Sequence, residues 1–137
     1  MPEILIVEDD QAVRDAFTRT LKHAGFQVTP VENGVSALQL LGQRPFDAII
    51  SDYRMPELGG QGFYEQLEER FPEMAGRVIF VTAYADDSKI RTFLTQTGQP
   101  VLAKPVETAD LVNVVQQLVR RKSRSTPGAP GGAEGAG

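Results

Sequence analysis

Residues 47–60 read DAIISDYRMPELGG, a short apolar run that leads into Asp52 and then into a loop marked by Pro56, Gly59 and Gly60. Burial penalises a charge, so a buried strand has no structural use for a carboxylate at its end. The pattern does suit a strand of a parallel sheet whose carboxyl end delivers a side chain to a ligand crevice. Around FDAIIS (46–51) stand four similar runs: EILIV (3–7), QVTPV (27–31), RVIFVT (77–82) and PVLA (100–103). Most are apolar at consecutive positions, as expected of strands covered by helices on both faces.

Helical spacing fills the gaps. Val13, Phe17 and Leu21 recur at four-residue intervals in 11–24, with Gly25 as a stop. Val35, Leu38 and Leu41 form a stripe in 34–42, and Phe63, Leu67 and Phe71 another in 61–71, just before Pro72. ADDS opens a helix carrying Ile90, Phe93 and Leu94 up to Gly98, and a last helix runs from about Thr108 to Lys122. Strand and helix alternate five times. The expectation is a doubly wound α/β fold, a five-stranded parallel sheet with five helices, in one domain spanning 1–122. From 123 to 137 the chain is dense in Gly, Pro and Ala and is expected to be a disordered tail or linker.

Composition narrows the function. The chain has 137 residues, no cysteine and a net charge of −4. Disulfide scaffolds, thiolate metal sites and cysteine nucleophiles are excluded, and general affinity for nucleic acid is not expected. No apolar run approaches the roughly 20 residues of a membrane span, and Glu3 stands where a signal peptide would be basic. A cytoplasmic location is expected.

Parallel strands would bring their carboxyl ends to one crevice. The first strand ends in Glu8, Asp9 and Asp10, the third in Asp52, the fourth in Thr82 and the fifth in Lys104–Pro105. Each has an ordinary reading alone: Asp9 or Asp10 as a helix cap, Thr82 as a strand residue, Lys104 as a surface cation. Together they form an all-oxygen cluster suited to Mg²⁺, with an ammonium and a hydroxyl opposite. A carboxylate nucleophile in that setting points to phosphoryl transfer, with Asp52 as the acceptor.

ILIVEDD, DAIISDYRMPELGGQGF, VIFVTAYAD and LAKPV occur in an order and spacing that resembles the receiver domain of two-component response regulators, of the chemotaxis-regulator type, over about residues 3–121. The resemblance implies a flavodoxin-like sheet in the order 2-1-3-4-5. It implies Asp52 as phosphoacceptor, Asp9 as a direct Mg²⁺ ligand, Glu8 on a metal-bound water and the Arg54 backbone carbonyl as a further ligand. It also implies Thr82 as the switch hydroxyl, Lys104 as the cation that pairs with the phosphoryl group, and a cis Lys104–Pro105 bond. The implied donor is a histidine kinase or a histidine phosphotransfer protein. The implied output is a downstream protein or fused output domain engaged through the fourth helix, fifth strand and fifth helix, a face that also suits a homodimer.

One position departs from the family pattern. Val101 stands where an aromatic residue often couples to the switch hydroxyl, and valine is too short for that lever. Tyr84 is a candidate substitute or a cover over the site, and Arg54 borders it, its charge a candidate contact for a phosphoryl group or for Glu57. A Mg²⁺-dependent phosphatase working through an aspartyl phosphate is the alternative enzyme, although Arg54 occupies the place of its usual second aspartate. A degenerate, constitutive adaptor is the other alternative, at odds with the complete set of five residues. His23, RRKSR (120–124) and ELGGQG are read as a helix-end cation, a basic helix end and a loop opening a helix. The chain is expected to be a stand-alone regulator or a receiver from a hybrid histidine kinase or longer regulator.

Overall fold

The computed structural model describes residues 2–54 and 58–124. Its elements are β1 (Glu3–Val7), α1 (Gln11–His23), β2 (Gln27–Val31), α2 (Gly34–Leu41), β3 (Ala48–Asp52) and α3 (Gly60–Arg70). There follow α4 (Pro72–Ala75), β4 (Val78–Thr82), α5 (Ser88–Thr97), β5 (Val101–Ala103) and α6 (Thr108–Arg124). The strands form one parallel sheet in the order β2-β1-β3-β4-β5. Among the described residues six helices replace the expected five. Pro72 is the added feature: its fixed φ and missing N–H suit the first position of a helical turn, so it starts α4 rather than only ending α3. The fourth and fifth helices of the sequence reading are therefore α5 and α6. Of the expected tail, residues 125–137 lie outside the described residues.

Alternation of side chains along each strand explains why the apolar runs are unbroken. Leu5, Val7, Ile49, Val78 and Phe80 face a layer built by Leu38 of α2, Phe63 and Leu67 of α3 and Leu94 of α5. Ile4, Ile6, Ile50, Ile79 and Val81 face the opposite layer, where Phe17 and Leu21 of α1 meet Leu111, Val115 and Leu118 of α6. Pro30 lies in β2, an edge strand, where a missing ladder donor is tolerated. No helix of the described residues is long and apolar enough to cross a membrane.

Backbone hydrogen bonds continue beyond the strand ends and hold the crevice residues in line. Glu8 N donates to Val31 O at 3.1 Å, Tyr53 N to Val81 O at 2.9 Å and Lys104 N to Thr82 O at 2.8 Å. The ends of β1, β3, β4 and β5 thus meet at one edge of the sheet.

Candidate functional site

Three carboxylates converge there. Glu8, Asp9 and Asp52 each offer an oxygen, all within 4.8 Å of one another. Glu8 and Asp52 are buried, at 1% and 7% exposure, while Asp9 is open to solvent. Lys104 crosses from the end of β5, with Nζ 3.1 Å from Glu8 Oε1 and 3.3 Å from Asp52 Oδ2. Only the Asp52 contact has hydrogen-bond geometry. Glu8 Oε1 is close enough to pair with the ammonium yet accepts no hydrogen bond.

The two adjacent acids divide their roles by backbone conformation. Asp10, in extended geometry, caps α1 by accepting from Ala12 N at 2.9 Å and Val13 N at 3.2 Å. Its own N–H donates to Glu8 Oε2 at 3.1 Å. Asp9 is left to join the cluster. Burial raises the Glu8 pKa to about 7, and the Asp52 charge adds to that rise against the Asp10 N–H and Lys104. Burial also raises the Asp52 pKa, opposed first by Lys104. For Lys104, burial favours the neutral form, but Asp52 and Glu8 outweigh it and the pKa is raised.

The residues present fit a magnesium ion. The donors are all oxygen, two are buried carboxylates, and one buried oxygen accepts no hydrogen bond. A divalent cation would relieve the repulsion that one ammonium leaves only partly offset.

Thr82, buried at the end of β4, is oriented differently. Its hydroxyl accepts from Tyr84 N at 2.9 Å and makes no hydrogen bond to Asp52 or Lys104. Tyr84 is exposed, and the Arg54 guanidinium lies 4.3 Å from its ring centre, so the loops after β3 and β4 touch. The Glu57 contact considered for Arg54 lies outside the described residues. Val101 opens β5 and is partly exposed, bordering a cavity of about 370 Å³ with Ala85, Arg91 and Leu94. The Lys104–Pro105 bond is cis. His23 occupies the last turn of α1, at the far end of that helix from the acids.

Two supports escaped the sequence reading. Gly60 N donates to Tyr53 O at 2.7 Å, and a Cβ at Gly60 would lie 2.8 Å from Tyr53 Cα. Only glycine lets the start of α3 approach the Asp52–Tyr53 backbone this closely. Arg14 Nη1 donates to the carbonyl of Glu8 at 2.8 Å and, at 3.4 Å, to that of Asp9. The signal for Gly60 was its place at the opening of a helix after the Asp52 loop; Arg14 showed only as a cation in the first turns of a helix.

Residues 4–116 match the family model described as the response regulator receiver domain. The response regulator receiver protein CpdR of Brucella abortus is 31% identical over 87% of this chain and 98% of its own length. The DNA-binding transcriptional regulator NtrC of Escherichia coli is 30% identical over 85% of this chain, which spans only 24% of that longer protein. Among solved structures, the receiver domain of a sensor histidine kinase from Pseudomonas aeruginosa is 30% identical with a TM-score of 0.77. The match covers 87% of this chain and 98% of that one, and that structure is described with a magnesium ion coordinated in the active site cleft. With the family model matched over residues 4–116 and these likenesses beside it, the chain belongs to the response regulator receiver domain family.

Proposed function

We propose that this receiver accepts a phosphoryl group on Asp52 from a phosphohistidine of a histidine kinase or phosphotransfer protein. One observation carries the reading: a single ammonium, Lys104, faces Asp52 and Glu8 together, with Asp9 in the same oxygen cluster. Glu8, Asp9, Asp52 and the Arg54 carbonyl would hold Mg²⁺, which when bound supplies positive charge to the phosphoryl oxygens.

The chain's own groups do the rest. An Asp52 oxygen attacks phosphorus in line while the phosphorus–nitrogen bond of the donor breaks and the imidazole leaves. Lys104 moves from the carboxylate to a phosphoryl oxygen. Thr82 rotates its hydroxyl away from the Tyr84 N–H toward the same group. The new dianionic charge then shifts the α5–β5–α6 face and its affinity for a downstream protein, an output domain or a second copy. Because Val101 cannot act as an aromatic lever, Tyr84 is the residue that Thr82 releases directly. A cytoplasmic location accompanies this role, without direct binding of nucleic acid.

The protein catalyses only its own phosphorylation and dephosphorylation. Arg54 stands where an aspartyl-phosphate phosphatase would carry its second carboxylate, and it cannot serve as that acid. Transfer from a phosphorylated histidine kinase, with and without EDTA, tests the reading against both alternatives. Stoichiometric, EDTA-sensitive labelling of the wild type and none of Asp52→Asn supports it. Multiple turnovers of a generic phosphoester would support the phosphatase, and complete inertness the adaptor.

A further inference from the structure

Arg14 is a cation at the wrong end of its helix. It lies one turn into α1, where the helix dipole opposes positive charge. No salt bridge offsets this among the described residues. Its guanidinium turns back over the first turn instead, to Glu8 O at 2.8 Å and Asp9 O at 3.4 Å. The peptide between the two acids is therefore held from several sides. Glu8 N is bound to Val31 O, Asp10 N to Glu8 Oε2, and the carbonyl of that peptide and that of the next both face Arg14.

We propose that Arg14 is a positioning residue for the cation site, fixing the Glu8–Asp9 backbone so that both carboxylates converge on Asp52. The inference rests on the reading of that cluster as a magnesium site. Glu8 points into the buried crevice and Asp9 toward its open side, and only a defined backbone between them aims both at one point. Groups that orient metal ligands commonly contribute ten- to a hundredfold in affinity. Arg14 lies near the loop's carbonyls rather than in contact with a carboxylate, so its influence is exerted through the backbone.

Charge and positioning make opposite predictions here. By Coulomb's law alone, removing a nearby cation tightens binding of another cation. Losing a positioning contact weakens it.

Calorimetric titration of MgCl₂ into the metal-free chain, with thermal melts in EDTA to verify folding, separates them. The variants are Arg14→Met, which keeps the stem without charge or donors, and Arg14→Lys, which keeps the charge but not the planar fork. Magnesium affinity should fall about tenfold in Arg14→Met and by a smaller factor in Arg14→Lys. Affinity unchanged or tighter in Arg14→Met overturns the assignment. If Arg14→Met fails to fold, affinity in Arg14→Lys equal to the wild type's overturns it. A wild type that binds no magnesium overturns the site reading itself, a distinct result from a wild type that binds beside an unaffected variant.

Discussion

The Thr82 hydroxyl accepts the backbone N–H of Tyr84 at 2.9 Å, so the residue proposed as the switch is held by its own loop rather than by the acids. Rotation toward a phosphoryl group breaks this bond and frees the loop that carries Tyr84. Thr82→Val should still be phosphorylated, because Asp52, Glu8, Asp9 and Lys104 are untouched. Its α5–β5–α6 amides should keep the unphosphorylated pattern of hydrogen exchange, while Thr82→Ser responds like the wild type. A valine variant that responds fully would remove the switch role.

The Arg54–Tyr84 stack, 4.3 Å from cation to ring centre, joins the loops that follow β3 and β4. Such a contact is worth about 0.5–1 kcal/mol at an exposed site, enough to favour a cover that still opens. Arg54→Ala and Tyr84→Ala should each shorten the phosphorylated lifetime, by about two- to fivefold on that energy. Decay of the acyl phosphate in purified protein measures it, and unchanged rates would dispose of the cover.

Metal-free stability should fall as pH rises from 4.5 to about 7 and level off above. Glu8 ionises at its ordinary 4.5 when unfolded and at about 7 when folded, and burial shifts Asp52 in the same direction. Between those values the folded state holds the extra proton, so raising the pH favours unfolding. For Glu8 alone the loss is on the order of 3 kcal/mol once pH exceeds the folded value. Denaturant melts in EDTA from pH 5 to 8 should show the decline, and saturating Mg²⁺ or Glu8→Gln should flatten it. A metal-free curve that rises over this range would refute the assignment.

Gly60 and Gly62 provide a matched pair. At Gly60 an added Cβ meets Tyr53 Cα at 2.8 Å and Tyr53 O at 2.9 Å, both backbone atoms. At Gly62 its nearest neighbour is Leu58 Cδ1, the end of a flexible side chain. Gly60→Ala should therefore cost about 1–3 kcal/mol and slow phosphorylation, and Gly62→Ala should cost less. Thermal melts of the two variants check the order, and equal stabilities would contradict the close approach.

Much of this architecture was readable from the chain. FDAIIS and its four counterparts located every strand of the described residues, because strands buried on both faces need unbroken apolar runs. Glu8, Asp9, Asp52, Thr82 and Lys104 could be gathered in advance because neighbouring parallel strands end at one edge. The α4 turn escaped notice, since four residues are too few to show a helical period. Sequence also left Asp9 and Asp10 interchangeable; the extended backbone of Asp10 decides which one caps α1. Arg14 and the Arg54–Tyr84 stack stayed hidden for a related reason. One binds carbonyls that every residue carries, and the other joins two loops distant in the chain.

The central claim is that Asp52 takes up a phosphoryl group, and intact and fragment mass spectrometry after incubation with Mg²⁺ and a small phosphodonor tests it most directly. The account predicts one added phosphoryl group, located at Asp52, not gained when EDTA is present from the start and absent from Asp52→Asn. No mass gain in the folded wild type, or an equal gain in Asp52→Asn, would contradict it.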